Sequence, residues 1–357
     1  MESQVLVYSK TSLQIDRISP RRPRALYFSE DIYVGWTQGG DVEIISTDPN
    51  LGPVFYRMNV PSANASLPAR VVRSRECLRC HGNSRTSNVP RFLVRSVRSD
   101  IRGFPLFATG THLTDDDSPI KERWGGWYVT GSNGGQRHMG NLIYEETKGS
   151  EAHIIRDMGT ELTDLTGIID TSPYLQNTSD IVALMVLEHQ SNAHNAITKA
   201  NFTTRKMLHH NREMATYWGN SPSTLSDTTK RIIASQADQL LRVLLFKDAF
   251  EFESWGIEGN EAFQRAFHCN ARRSAEGRSL KDFDLLSRLF KHRLSYMIYA
   301  ESFGTLPNEF LTVFYKKLFA MLEDPSAHED SKHLSPTEAR RIKEILLETK
   351  EGLPEVP

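Results

Sequence analysis

One short stretch constrains this chain more than any other: Glu76-Cys-Leu-Arg-Cys-His-Gly82. Two cysteines separated by two residues, with a histidine directly after the second, are the pattern by which proteins attach a c-type haem. The spacing lets one helical turn present both sulfurs to the vinyl groups at a porphyrin edge, and the next residue then falls under the iron. We therefore expect one covalent haem c, bound through Cys77 and Cys80, with His81 as an axial ligand.

Two other uses of the cysteine pair stay open. A structural zinc site would need two further Cys or His ligands at short spacing, whereas the next histidine after His81 is His112. A redox-active thiol pair normally belongs to a βαβ pattern, which the surrounding residues do not follow. Haem attachment is the favoured interpretation, and zinc binding or an inert or redox-active pair are the alternatives.

The composition limits the other classes of function. The chain has 357 residues, which is enough for two domains with a core each. Its formal net charge of −1 gives no reason to expect a nucleic-acid partner. No apolar run approaches the roughly 18 residues of a membrane span, so we expect no span in this chain. With three cysteines, two of them in the motif, we expect no disulfide framework.

Covalent haem attachment also implies a location. Haem is attached to such motifs outside the cytoplasm, so we expect a periplasmic or otherwise exported protein. The chain opens Met1-Glu2-Ser3-Gln4, and no basic segment followed by an apolar one marks a signal peptide. We interpret this as a missing N-terminus.

The first 150 residues predict a β-rich domain. Residues 1–22 are polar, and beyond them short β-branched and aromatic runs alternate with turn residues. The predicted strands cover residues 25–28, 32–36, 42–46, 54–58, 92–97, 105–108 and 124–130. Residues 25–131 are therefore expected to form an antiparallel sheet that carries the haem motif on a turn.

The second half predicts helices. Apolar residues recur at helical spacing from residue 181 to about 210, and Ser335-Pro-Thr-Glu338 is a capping box that starts a last helix. Further helices are predicted at 228–250, 262–273, 282–290, 294–303 and 309–322. With a boundary in Thr147-Lys-Gly-Ser150, the predicted fold class is α+β. An antiparallel β-rich haem-binding domain (1–150) precedes an all-helical C-terminal domain (151–357).

Several segments outside the motif match the landmarks of a known family. They are Arg17-Ile-Ser-Pro20, Asp31-Ile-Tyr-Val-Gly-Trp36, Asp48-Pro-Asn-Leu-Gly52, Glu122-Arg-Trp-Gly-Gly-Trp-Tyr-Val-Thr-Gly131, Gln136-Arg-His-Met-Gly-Asn141, Ser179-Asp-Ile-Val-Ala-Leu-Met-Val-Leu-Glu-His189 and Gly277-Arg-Ser-Leu-Lys-Asp-Phe-Asp284. On these and on residues 77–81 the chain resembles a largely uncharacterised family of bacterial mono-haem cytochrome c domain-containing proteins. The resemblance covers nearly the whole chain and implies chemistry only at the haem motif. Where the family often has a histidine ahead of Glu122, this chain has Asp115-Asp-Asp117, so no iron ligand is expected there.

A sixth iron ligand is expected from the loop Gln136-Arg137-His138-Met139-Gly140. His138 and Met139 are both side chains that bind haem iron, and the glycines before them allow the loop to fold over the haem. Adjacent residues of an extended segment point in opposite directions, so only one would reach the metal. His112 is a weaker candidate. The predicted wall is Trp124, Trp127 and Tyr128, and the predicted partners of the propionates are Arg95, Arg98 or Arg123.

The expected function is electron transfer by a c-type cytochrome, with an unidentified redox partner protein. The alternative is a haem-based sensor or binding module whose sixth iron position is open or labile. A haem peroxidase is a third possibility, but it needs a distal acid–base pair, and only Arg137-His138 suggests one. Enzymatic activity is therefore left uncertain, and the balance is against it.

Overall fold

The computed structural model describes residues 2–61, 68–83, 86, 88–147, 151–219, 221, 223–252 and 256–353. Its N-terminal part contains an antiparallel sheet of six strands, each hydrogen-bonded to the next in chain order. The strands are β1 (Val5–Val7), β2 (Arg24–Phe28), β3 (Ile32–Trp36), β4 (Val42–Asp48), β5 (Gly52–Met58) and β6 (Val71–Arg73). The antiparallel sheet predicted from residue 25 onward is confirmed for β2 to β5.

Both faces of this sheet are covered. On one face, Ala25 and Tyr27 of β2 join an apolar cluster with Leu165 and Tyr174. On the other face, Tyr33 of β3 belongs to the main apolar core of the protein. Successive side chains of a strand point to opposite faces, so each strand contributes to both layers.

The first strand, β1, was not expected, because residues 1–22 were interpreted as a polar lead-in. Val5, Leu6 and Val7 are all buried, and they pair antiparallel with β2 in the register Val5 opposite Leu26. The backbone N–H of Leu6 also donates to the Ser179 hydroxyl at 2.8 Å. A run of three apolar residues is too short for a periodicity test, which explains why the sequence did not reveal it.

Two small antiparallel sheets follow the Cys77–His81 motif. They pair β7 (Arg95–Val97) with β8 (Thr111–Leu113), and β9 (Leu142–Glu146) with β10 (Ala152–Asp157). The strands predicted at 105–108 and 124–130 are wrong. Residues 107–109 form a 3₁₀ turn, and Trp124 and Gly126 have φ of 65° and 82°, which no regular strand adopts.

Helices dominate the C-terminal part of the chain, whereas the N-terminal part has the short helix α1 (Leu78–His81) between β6 and β7. The C-terminal helices are α2 (Ile181–Tyr217), α3 (Asp227–Leu244), α4 (Glu261–His268), α5 (Glu301–Gly304), α6 (Asn308–Glu323) and α7 (Pro336–Thr349). Side-chain caps start several of them: Asp180 accepts from the N–H of Ala183 at 2.8 Å, and Ser335 from that of Glu338 at 3.2 Å. Ser335 is therefore the N-cap, as predicted, but the Glu338 carboxylate accepts from Arg293, so the second bond of the predicted capping box is not among the described contacts. No helix of the described residues is long and apolar enough to cross a membrane.

Two predictions for this half are wrong. Residues 151–357 are not all helical, because β10 completes a hairpin with β9 and an irregular stretch follows it up to α2. Residues 282–290 are a series of turns. There the Asp284 side chain accepts from the N–H groups of Leu286 and Ser287, and Leu285 has a φ of 60°. Asp often stabilises turns through such local bonds at the expense of a helix.

The longest helix, α2, joins the two halves of the chain. Its 37 residues extend for about 55 Å at 1.5 Å per residue. Residues 181–187 are almost entirely buried, in the same apolar core as Val5, Val7 and Tyr33 from the sheet. The predicted boundary at 147–150 lies between β9 and β10, and residues 148–150 are outside the described ranges. The halves therefore share a core, although the division at residue 150 stays a prediction.

Candidate functional site

The cysteine motif lies on the single helical turn that its spacing requires. Helix α1 follows β6, and the N–H groups of Cys80 and His81 both donate to the Cys77 carbonyl, at 3.2 and 3.0 Å. Cys77 is half-buried, with its sulfur 3.6 Å from the Ser74 hydroxyl, and Cys80 is exposed. Both thiols are free. The turn therefore presents two reactive sulfurs and an imidazole within one short element.

The His81 ring is held in one orientation. Its Nδ1 lies 2.9 Å from the Arg91 carbonyl, and its ring packs against Phe55 with centroids 4.8 Å apart. A carbonyl accepts a hydrogen bond only from a protonated nitrogen, so Nδ1 carries the hydrogen and Nε2 keeps a lone pair. Within the described part of the chain, no hydrogen bond occupies Nε2. Burial lowers the pKa of His81, which favours the neutral form that binds metals.

A cavity opens beside Cys80 and His81. Its volume is about 270 Å³, close to the lower end of the roughly 300–1,000 Å³ of typical ligand cavities, which are largely apolar. Its apolar wall comes from the sheet, from the segment before β7, from Trp127 and from α2; it includes Leu26, Ile45, Phe92, Val94 and Leu187. The cavity therefore offers apolar surface to a ligand next to the imidazole.

Charged side chains line one part of this cavity. Arg24 and Glu43 form an ion pair at 2.5 Å, and Arg95 is also in the wall. Of the three arginines predicted to bind propionates, Arg95 alone lines the cavity. Arg98 donates to the Thr109 carbonyl at 2.5 Å, and Arg123 donates to the buried Glu188 at 2.8 Å. The sequence did not point to Arg24 as a cavity residue, because the segment Arg21-Arg22-Pro23-Arg24 has the pattern of a solvated basic turn. In the structure, Arg24 is the first residue of β2.

The predicted sixth ligands do not line the cavity beside His81. His138 is buried edge-on against Trp124, with ring centroids 5.2 Å apart, and burial lowers its pKa to about 4. The Met139 sulfur lies 3.7 Å from the Ser96 hydroxyl. His112 faces Glu122, with 3.4 Å between Nδ1 and Oε2. None of the three side chains is among those that line the cavity.

The predicted aromatic wall is present in part. Trp127 lines the cavity, and its indole N–H donates to the Arg95 carbonyl at 2.8 Å, which fixes the ring. Trp124 and Tyr128 are buried elsewhere. The Tyr128 hydroxyl donates to the Pro20 carbonyl at 2.6 Å.

A buried polar network lies next to the cavity on α2. His189 contacts both Asp116 carboxylate oxygens through Nδ1 at 3.0 Å and the Ser295 hydroxyl through Nε2 at 2.7 Å. Asp116, His189 and Ser295 are thus hydrogen-bonded in the same acid–histidine–serine series as a hydrolase triad. However, Ser295 is fully buried and its hydroxyl also accepts from the N–H of Met297 at 3.1 Å. The network therefore anchors α2 to two loops, and it does not present a nucleophile.

Among the residues that the structure describes, no group of three or more His, Cys, Asp or Glu side chains is arranged to hold a metal ion. Comparison with known proteins adds no family, since no protein-family model, curated protein or solved structure matches the chain. The candidate site therefore rests on its own geometry.

Proposed function

We propose that this chain is a c-type haem protein that acts in electron transfer. One haem would be bound by thioethers from Cys77 and Cys80, with His81 Nε2 as the proximal ligand. The observation that carries the proposal is the cavity, of about 270 Å³ and open to solvent, directly beside Cys80 and His81. A bound haem supplies reversible one-electron exchange at its iron. Since haem is attached in this way after export, we also propose a periplasmic or otherwise exported location.

The residues around the cavity have separate roles in this proposal. The Arg91 carbonyl fixes the tautomer and the orientation of His81, a contact that metal-binding histidines commonly make. The apolar wall limits the access of water to the iron, which affects the reduction potential. Cys80 is exposed, so the porphyrin edge attached to it would lie near the surface. That edge is where we expect a redox partner protein to dock.

Intact mass tests the covalent bond. The full chain, exported from a strain that matures c-type haems, is expected to gain the mass of one haem and to keep its colour after extraction with acidic acetone. The double variant Cys77→Ala/Cys80→Ala should lose both properties. Cys269→Ala is the matched control, because Cys269 is also free and exposed but lies outside the motif. An unmodified mass for the unaltered chain would overturn the proposal.

A second candidate function, ligand binding or sensing at the iron, has one observation in its favour. Among the described side chains that line the cavity, His81 is the one imidazole, and no methionine is present. Under this candidate, the side chains that line the cavity would leave the sixth iron position open. Binding of carbon monoxide to the ferrous protein distinguishes the two candidates. Prompt, tight binding indicates an open site, and no binding indicates the six-coordinate iron typical of electron carriers.

A further inference from the structure

Arg24 lies in the cavity wall in a position that only a glycine at residue 35 permits. The two residues are on neighbouring strands, β2 and β3, on the sheet face that lines the cavity. A Cβ atom at Gly35 would lie 2.4 Å from Nη2 and 2.7 Å from Nε of Arg24. Such distances are far inside van der Waals contact. A glycine in the interior of a strand weakens it and often marks the close approach of another group, and here that group is the guanidinium.

The guanidinium is only partly used by the protein. Its Nη2 is paired with Glu43 at 2.5 Å. In the described ranges, Nε is buried without a hydrogen-bond partner, and no hydrogen bond involves Nη1. Arginine has five N–H donors in a planar fork, which matches a carboxylate in a two-point contact. An ion pair with Glu43 alone would satisfy one edge of this fork and leave the rest without an acceptor.

We infer that Arg24 binds a carboxylate of the group held in the cavity, and that Gly35 is the space in which its guanidinium lies. This inference rests on the proposed function, under which that carboxylate is a haem propionate. Glu43, which also lines the cavity, holds the guanidinium through Nη2 and leaves Nη1 for the carboxylate of the ligand. Arg24 is therefore a binding residue for the cofactor, in addition to the thioethers and His81.

The test compares variants of the exported, haem-loaded protein by midpoint potential and by resonance Raman spectra of the propionate bending mode. Removing a cation near the haem disfavours the reduced form, which carries less positive charge. Arg24→Gln is expected to make reduction about tenfold less favourable, which is a fall of about 59 mV for one electron. It should also shift the propionate band. Gly35→Ala should change both readouts in the same direction, because its methyl group displaces the guanidinium. Arg24→Lys keeps the charge and should restore most of the potential.

Arg265→Gln is the matched control. Arg265 forms an ion pair with Glu261 at 3.0 Å on α4, and it does not line the cavity. Its potential and propionate band should equal those of the unaltered protein. If haem is attached and the Arg24 and Gly35 variants keep the original potential and band, the inference is overturned and the proposed function stands. If no haem is attached to the unaltered chain, the proposed function itself fails. If Arg24→Gln does not accumulate, Gly35→Ala and Arg24→Lys decide.

Discussion

The buried carboxyl group of Glu188 should make the stability of this protein fall as the pH rises. Glu188 is fully buried on α2, one residue from Leu187 in the cavity wall, and it accepts a hydrogen bond from Arg123 at 2.8 Å. Burial raises its pKa to about 7, although the Arg123 charge acts in the opposite direction. A buried pair of this kind stabilises a protein less than its contact suggests, because desolvation opposes the attraction.

The direction and the size of this pH effect follow from the pKa of Glu188 in the unfolded state and in the folded state. Unfolded, the carboxyl ionises near its ordinary value of 4.5, and folded it keeps its proton up to about 7. The folded state binds more protons between these values, so stability is fully present below pH 4.5 and is lost as the pH rises through 7. The difference of about 2.5 pKa units corresponds to a loss of about 3 kcal/mol.

Glu188→Gln isolates this effect, because glutamine keeps the shape and an oxygen for Arg123 but does not ionise. Between pH 5 and pH 8, the free energy of unfolding of the variant should rise by roughly 2–3 kcal/mol relative to the unaltered protein. Urea denaturation at several pH values measures it. His138 and His194 also have pKa values lowered by burial, to about 4. Their effect has the opposite sign but is common to both proteins and cancels in the difference.

Glu309→Gln, at an exposed position of α6, is the control and should give a curve parallel to that of the unaltered protein. A pH-independent difference for Glu188→Gln would refute the reasoning. It would mean that Arg123 fully offsets the burial, so that Glu188 ionises equally in both states.

Two further predictions follow from the packing. His138→Ala and Met139→Ala should leave the ferric spectrum and the carbon monoxide binding of the haem-loaded protein unchanged, because neither side chain lines the cavity; a newly opened coordination site in either variant would show that this loop does reach the iron. Residues 151–357 expressed alone should show helical circular dichroism without a cooperative melting transition, because residues 181–187 lose their contacts with Val5, Val7 and Tyr33; a sharp transition in that fragment would support two independently folding domains.

The sequence predicted those parts of the fold that depend on local patterns. Strands β2 and β3 follow period-two alternation, and β4 and β5 are β-branched and aromatic runs next to turn residues. Helices α2, α3, α6 and α7 follow helical spacing, and side-chain caps start α2, α3 and α7. The helical turn of the motif was predicted from the spacing of Cys77 and Cys80 in the sequence. Each of these signals lies within one element, so no knowledge of the tertiary structure was needed.

The rest depends on contacts between distant segments. Strand β1 is a strand because it pairs with β2 and packs against residues near 179, and nothing in its three residues shows this. The cavity wall combines the sheet, the segment before β7, Trp127 and α2. The glycines around His138 and Met139 allow many backbone conformations of the loop. The sequence therefore does not specify where the side chains of His138 and Met139 lie. Arg24 and Gly35 come close to each other only because β2 pairs with β3.

Tyr33 bears on the choice between the two candidate functions. It lines the cavity, and its hydroxyl accepts a hydrogen bond from the Gln190 amide at 2.6 Å. Tyrosine binds haem iron as the phenolate in some proteins, but burial raises the pKa of Tyr33 above its ordinary value, so it stays protonated at neutral pH. A neutral phenol is a poor iron ligand. If haem is bound as proposed, Tyr33 would therefore not supply the sixth ligand, and the binding of carbon monoxide is the first test of an open site.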